Sequence, residues 1–427
     1  MEKTTVAVIG SGVAGLGASW LLAKHGANVT LYESADRAGG HAHTVFPSPN
    51  GTQLAVDVGF IVFNQDTYPN LTQLLKFFDI SCRPTSMSFG VSMADGLEYA
   101  GHGINSLFAQ RRNLFRPTFW RMLSDIQKFY KEAETLNITA DKTLKSMLAN
   151  YSESFAKNHL LPMAGAIWST DVNQVKNMQA QAFIDFFSNH GLLKIRGRPT
   201  WYTVEGGSIS YINKVLTTPG VNLKLRSEIK NIERHSEHVV VIGDDINEKF
   251  DQVVIATHSD QALKLLSKPS SAEKKILKEF EYSKSLAYLH YDKRFMPRNP
   301  RAWASWNYIE NHSGELCVSY WMNLLHGLKT SQDIFVTLNP SFQPANSIEQ
   351  FEYTHPILND RTNVAKKYLW ELQGKQRTWF CGSYFGYGFH EDGLQSGLAV
   401  AEEITGKERP WTIINDRIST GNFQDTE

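Results

Sequence analysis

The sequence is short of cysteine, of unbalanced charge and of long apolar runs, and each shortage removes a class of protein. Three cysteines in 427 residues, Cys82, Cys317 and Cys381, are odd in number and far apart, which argues against a disulfide framework and for a reducing compartment such as the cytoplasm. Lys+Arg and Asp+Glu both number 43, so the charge implies no basic surface for nucleic acid. No stretch is long and apolar enough to span a bilayer. The apolar residues near the N-terminus are consumed by a predicted strand and do not read as a signal peptide. The histidines have no metal-ligand spacing with cysteines or acids, so no metal is expected, and no hydrolase nucleophile motif occurs.

What is present begins with Val6-Ala-Val-Ile-Gly-Ser-Gly-Val-Ala-Gly15. The apolar run 6–9 reads as a buried parallel strand. Gly10, Gly12 and Gly15 then give a tight turn, close approach of backbone to a pyrophosphate, and close helix packing. The following helix, through Ala18, Leu21 and Leu22 to Gly26, offers free N–H groups and the positive end of its dipole, so a pyrophosphate is held there without a side-chain cation. A second strand, Asn28 to Tyr32, ends at Glu33. A carboxylate at that position accepts hydrogen bonds from ribose hydroxyls and repels a 2′-phosphate, which disfavours NADP.

Further along, residues 71–78 read as a short helix, and Met87, Phe89, Val91 and Met93 alternate ahead of an Asp95-Gly96 turn as a hairpin does. Residues 104–190 read as helical. Asn222 to Glu233 and Val239 to Ile242 read as paired strands, and residues 285–291 and 302–308 as strands of another sheet. The nucleotide signals are split among the start, middle and end of the chain, which implies a discontinuous cofactor domain. The expected partition is 1–65, 200–265 and 375–410 for the cofactor, 66–199 and 266–374 for substrate, and a polar tail at 411–427.

A second cluster, Glu33-Ser-Ala-Asp-Arg37-Ala-Gly39-Gly40-His41-Ala-His-Thr44, resembles the extended signature of the FAD-dependent amine oxidase and carotenoid desaturase superfamily. The run Asp251-Gln-Val-Val-Ile-Ala-Thr-His258 is similar to its strand returning to the cofactor sheet. The segment Gly382-Ser-Tyr-Phe-Gly386-Tyr-Gly388-Phe-His390-Glu-Asp392-Gly393-Leu394 is similar to its closing flavin motif, whose helix N-terminus faces the flavin. The resemblance implies an α/β fold: a GxGxxG, Rossmann-like FAD-binding domain with a mixed-sheet plus helical substrate domain. It implies FAD as cofactor, contacted by Gly10, Gly12, Val13, Ala14, Gly15, Glu33, Ser34, Arg37, Gly39, Gly40, His41, Gly59, Phe60, Ile229, Ala256, Gly382, Asp392, Gly393 and Leu394. Glu391 and Asp392 are expected to orient the flavin or its ribityl chain.

Within the superfamily, Asp57-Val-Gly-Phe-Ile-Val-Phe-Asn64, Tyr68-Pro-Asn70, Ser86-Met-Ser-Phe89 and Gly388-Phe-His-Glu-Asp-Gly393, with Trp303-Ala-Ser-Trp306-Asn307 and Tyr320-Trp-Met-Asn323, resemble a narrower group. These are the flavoproteins associated with cyclopropane fatty acid synthases. That resemblance implies hydride abstraction to flavin N5 from a fatty-acyl chain of a lipid, in effect a desaturase, with a lipid-modifying methyltransferase as a partner. Amine oxidation, a non-catalytic role beside such a methyltransferase, and geometric isomerisation are the alternatives. Two departures bear on the choice. His41 stands where the broader pattern has arginine, and the strand Ser285–Tyr291, where amine oxidases carry a lysine near N5, has only Lys284 ahead of it.

A flavin enzyme needs a shaped, dry pocket more than reactive groups. The aromatic candidates to line it are Phe60, Trp168, Trp201, Trp306, Trp321, Tyr384 and Tyr387. For proton handling the candidates are His41, Asp57 and His390, with His43 and His258 beside them. Finally, Phe108 to Arg121 interleaves four arginines with aromatics ahead of an amphipathic helix. Such a pattern suits the solvated edge of a cap helix or peripheral contact with a membrane.

Overall fold

A computed structural model of the chain describes residues 3–133, 142–168, 172–189, 191, 193, 197–310, 316–357 and 359–413. Its centre is a five-stranded parallel sheet in the order Val221–Lys224, Asn28–Tyr32, Thr5–Ile9, Gln252–Ile255, Thr378–Phe380. The strands come from the start, the middle and the end of the chain. Val6 and Val8 face the first helix, while Ala7 and Ile9 face the opposite way against Ile232 and Val241. Burial on both faces is why this strand reads as an unbroken apolar run.

The first helix, Val13–Lys24, is buried from Ala14 through Ala23, between the sheet and the closing helix His390–Thr405. Two glycines permit that approach. A Cβ at Gly17 would lie 2.7 Å from Leu394 Cδ1, and one at Gly397 would lie 2.0 Å from the Ala14 carbonyl oxygen. On the other face lies an antiparallel sheet of Ile229–Arg234, Val239–Gly243 and Asn247–Phe250.

The segment 222–233 is thus two strands in two sheets, not one. The chain breaks at Arg226, whose φ is 52°, where Arg226 N–H donates to Ala35 O and Ser227 N–H to Glu33 O. Those bonds draw residues 225–228 onto the loop after the second strand, and a new strand starts at Ile229.

A mixed seven-stranded sheet forms the second layer, in the order Ser347–Pro356, Tyr282–His290, Phe335–Leu338, Leu316–Trp321, Trp306–Glu310, Phe89–Ser92, Glu98–Ala100. The hairpin at Asp95-Gly96 is present in it, and Phe89–Ser92 runs parallel to Trp306–Glu310. The predicted strand at 302–308 begins later, because Pro300–Ala302 forms a 3-10 turn. Helices Pro117–Glu132, Leu144–Leu148, Leu161–Trp168 and Ala180–Asn189 cover this sheet, and Phe129, Phe155, Phe183 and Phe187 fill the core beneath them. Among the described residues no helix is long and apolar enough to cross a membrane.

Candidate active site

Between the two large sheets lies a cavity of about 990 Å³, at the upper end of the roughly 300–1,000 Å³ of small-molecule sites. Its floor is the turn after the first strand. Gly10 has φ +99° and sits under Ala256, whose oxygen would be 2.8 Å from an added Cβ. Gly15 is closer still: its Cβ would lie 1.9 Å from Gly10 O. Gly12 differs, since a Cβ there would meet nothing within 4 Å and the residue lines the open cavity. No side chain caps the helix it begins, and no acid occupies the first turn. The result is a set of unclaimed backbone donors with positive potential facing an open space, the arrangement that takes a diphosphate.

A second glycine pair crosses this turn. Gly39 N–H donates to Ser11 O at 3.0 Å, and a Cβ on Gly40 would lie 3.0 Å from Gly12 Cα. Arg37 ties the crossing by donating to Gly40 O at 2.9 Å. Glu33 lines the same end. One of its oxygens accepts from Ser11 N–H and Oγ, at 3.0 and 2.6 Å, and the other from Ala35 N–H at 3.0 Å. Ser34, Ile229 and Ala256 complete this end, and Gly382, Tyr384 and Gly393 stand opposite the first helix.

His41, Gly59, Phe60 and His390 also face the cavity. The chain at His41 is stitched to the 58–60 turn by Phe60 N–H donating to His41 O at 2.7 Å, and a Cβ on Gly59 would come within 2.2 Å of that oxygen. His390 stacks on Phe60 with ring centroids 3.9 Å apart, and its Nε2 is 2.7 Å from Tyr211 Oη. Burial pushes the His390 imidazole down to about 3. The His41 imidazole is also held well below its ordinary value, first by burial and then by His355 and His258. Both rings are therefore neutral at neutral pH, and burial disfavours their protonated forms, so they act neither as fixed cations nor as ready bases.

Several expected site residues lie elsewhere. Asp57 is 1% exposed and does not line the cavity. Its carboxylate accepts from Thr44 Oγ1 at 2.5 Å and from Ser208 N–H at 2.9 and 3.1 Å, and burial raises it to about 7. Glu391 faces away as well, accepting from Asn70 N–H, Asn70 Nδ2 and Leu71 N–H, so it caps the helix Pro69–Phe77. Asp392 accepts from Phe389 N–H at 2.9 Å, capping its own helix. Gly15, Gly39 and Leu394 shape the walls from behind. His43 bonds Tyr353 Oη at 3.0 Å outside the lining, and Trp321 donates to Asp333. The Trp168 side chain lies outside the described residues.

The sequence reading passed over the strand Ser347–Pro356, which brings Tyr353, Thr354, His355 and Pro356 to the cavity. Its signal was available in Phe351, Tyr353 and His355 alternating with Glu352 and Thr354. Also missed were Val58, Ile61, Val62, Met87, Ile167, Tyr320 and Leu338, which with Trp201 and Trp306 form the wall away from the nucleotide turn. Trp306 opposes Tyr320 in register, and Leu338 opposes Val318 on the next strand. None of these wall residues is ionic. The lining lysines are Lys230 and Lys264, from the segments that carry Ile229 and Gln261. Lys284 instead pairs with Glu352 at 2.9 Å on an exposed strand position. Among the described residues, four buried polar atoms of cavity-lining residues have no hydrogen-bond partner: Tyr32 Oη, Trp306 Nε1, His355 Nδ1 and Tyr384 Oη. Open space above a glycine turn, an uncapped helix end and unpartnered polar atoms together fit a flavin dinucleotide.

Comparison with known proteins agrees with this fit. Residues 13–323 match the family model for flavin-containing amine oxidoreductases. Cyclohexylamine oxidase from Brevibacterium oxydans IH-35A shares the fold with a TM-score of 0.68 at 14% identity, over 95% of this chain and 99% of that one. A fatty acid isomerase from P. acnes, described as producing CLA, matches with a TM-score of 0.66 at 15% identity, over 94% and 98%. Putrescine oxidase with bound putrescine matches with a TM-score of 0.65 at 14% identity, over 95% and 100%. At such identities the likeness concerns the fold, whereas the family match spans most of the chain. This chain therefore belongs to the flavin-containing amine oxidoreductase family and is an FAD-dependent oxidoreductase.

Proposed function

We propose that the protein oxidises an aliphatic acyl chain of a lipid, as its resemblance to the flavoproteins associated with cyclopropane fatty acid synthases suggests, with a lipid-modifying methyltransferase as partner. In this reading residues 1–65, 200–265 and 375–410 carry the nucleotide, and 66–199 with 266–374 enclose the substrate. The chemistry that FAD supplies when bound is acceptance of a hydride at N5.

The observation that carries the reading is the apolar wall built from Val58, Ile61, Val62, Met87, Ile167, Trp201, Trp306, Tyr320 and Leu338; the carboxylates that also line the cavity are Glu33 and Glu228 at the nucleotide end and Glu352, which is paired with Lys284. An apolar chain gains free energy by leaving water for such a surface, whereas a cationic amine loses its hydration with no charge to replace it. The work of these residues is to align the chain and exclude water. His41 and His390 face the cavity as neutral rings, and because burial disfavours their protonated forms they serve to position substrate by packing and hydrogen bonding and not as its base.

Incubation of the holoenzyme with a phospholipid extract under air, followed by mass analysis of the released acyl chains, tests this. A loss of two hydrogens supports oxidation. An unchanged mass with a moved or inverted double bond assigns isomerisation, and no change with lipid alongside turnover of an amine removes the reading.

A further inference from the structure

We propose that the segment 104–121, with the adjoining turn at 298–301, is a docking surface for an anionic lipid bilayer. The inference rests on this surface alone and does not depend on which substrate the cavity takes.

Large apolar side chains are concentrated here against expectation. Ile104 is 79% exposed, Phe115 87%, Trp120 49% and Leu114 41%. Single exposed hydrophobics are ordinary, but four within seventeen positions form a patch that water opposes. The segment is tied into one unit. Arg111 donates to Phe108 O and to Asn105 Oδ1, Trp120 Nε1 donates to Leu114 O, and Trp120 packs on Phe108 with ring centroids 5.5 Å apart. These bonds join the short helix Ile104–Leu107, the turn Arg111–Phe115 and the start of helix Pro117–Glu132. The apolar side chains therefore share one region of surface rather than scatter.

Charge decides the occupant. Residues 101–124 contain Arg111, Arg112, Arg116 and Arg121 and no aspartate or glutamate. Asn299 Nδ2 donates to Ala109 O at 2.7 Å and brings exposed Arg298 and Arg301 alongside. Among the described residues none of these six guanidinium groups forms an ion pair. The carboxylates that bound the segment accept backbone hydrogen bonds and form no ion pair with these arginines: Asp95 accepts from Leu97 N–H, Asp125 from Ser152 N–H, and buried Glu98 from Arg298 and Asn299 N–H. The chain as a whole has no net charge, so this concentration is local. Exposed aromatic and aliphatic groups among unpaired arginines match an interface of acyl chains beneath anionic headgroups. A second copy of this chain would set the same arginines against one another in a two-fold contact, which disfavours it as the occupant.

The test is co-sedimentation of the FAD-loaded protein with vesicles of phosphatidylglycerol and phosphatidylcholine, and with vesicles of phosphatidylcholine alone, at low and high salt. The expected result is binding to the anionic vesicles only, weakening with salt. Phe115→Ala is expected to reduce binding about tenfold, and each of Arg112→Gln and Arg121→Gln about fivefold at low salt. None of the three residues lines the cavity. Retained flavin absorbance and an unchanged melting curve therefore show that each variant is folded. Absence of binding to anionic vesicles, binding that survives all three substitutions, or a concentration-dependent dimer that Phe115→Ala abolishes would each overturn the proposal.

Discussion

Gly12 and Gly15 belong to one glycine turn, yet their replacement by alanine should fail in different ways. Gly12 has φ −62° and ψ 175°, a conformation open to any residue, and its added Cβ meets no protein atom within 4 Å. In the apoprotein Gly12→Ala should thus be neutral or stabilising by about 0.4–1 kcal/mol, through the reduced freedom of the unfolded chain. The methyl group would instead occupy the space above the uncapped helix end. Displacing a diphosphate from one charge-assisted backbone hydrogen bond costs about 1.5–3 kcal/mol, so FAD should bind roughly ten- to a hundredfold more weakly. For Gly15→Ala the new Cβ would lie 1.9 Å from Gly10 O and 3.2 Å from Ala256 Cβ. Helix and strand must then separate, at a cost of about 1–3 kcal/mol or more, with or without cofactor. Urea denaturation of the apoproteins and FAD titration followed by flavin fluorescence read the two effects separately. Wild-type FAD affinity in Gly12→Ala, or a loss of apoprotein stability in that variant, would refute the placement of the diphosphate.

Glu33→Ala should weaken FAD binding by ten- to a hundredfold in the same titration, since it removes the carboxylate that anchors Ser11 at the nucleotide end. Glu391→Ala should cost about 2–4 kcal/mol in urea denaturation by leaving the Asn70 and Leu71 donors buried without a partner, while FAD stoichiometry in the folded fraction stays at one. The apoprotein should lose stability on acidification from pH 6 to 5. His290 and His355 are pushed down to about 4 by burial, from an ordinary 6.5, so the unfolded chain takes up their protons first. Each contributes about 1.4 kcal/mol per pH unit until the folded imidazoles titrate near their own values. Asp57, raised by burial to about 7 from 3.8, acts in the opposite direction, because the folded chain keeps its proton and loses that advantage as pH rises. Two histidines outweigh one acid, and a urea midpoint that increased on acidification would show that these imidazoles are not buried neutral.

The nucleotide end was legible because its determinants are local. The run Val6–Ile9, the three glycines and the acid at 33 lie within thirty residues, and each has one reading in a parallel sheet whose strands are covered on both faces. The match of residues 13–323 to the family begins at the helix that follows this turn and takes in Gly15 and Glu33. What escaped depends on partners remote in sequence. Asp57 looked free to handle protons until Ser208, 151 positions away, claimed its carboxylate. Glu391 stood beside the flavin motif but reaches Asn70, 321 positions away. The strand break at Arg226 came from bonds to Ala35 and Glu33 that no pattern within 222–233 announces. The wall of the substrate end draws single residues from many elements, so its apolar character emerges only when the sheet brings Trp306, Tyr320 and Leu338 together.

The most direct test of an acyl-oxidising flavoenzyme is an anaerobic absorbance titration of the purified holoenzyme, first with membrane phospholipids and then with primary amines and polyamines. An apolar wall without acid or lysine predicts that the flavin's visible band bleaches with lipid and stays intact with amines. Bleaching by an amine and not by lipid would contradict the substrate assignment, and failure to observe any flavin band after addition of FAD would contradict the cofactor site itself.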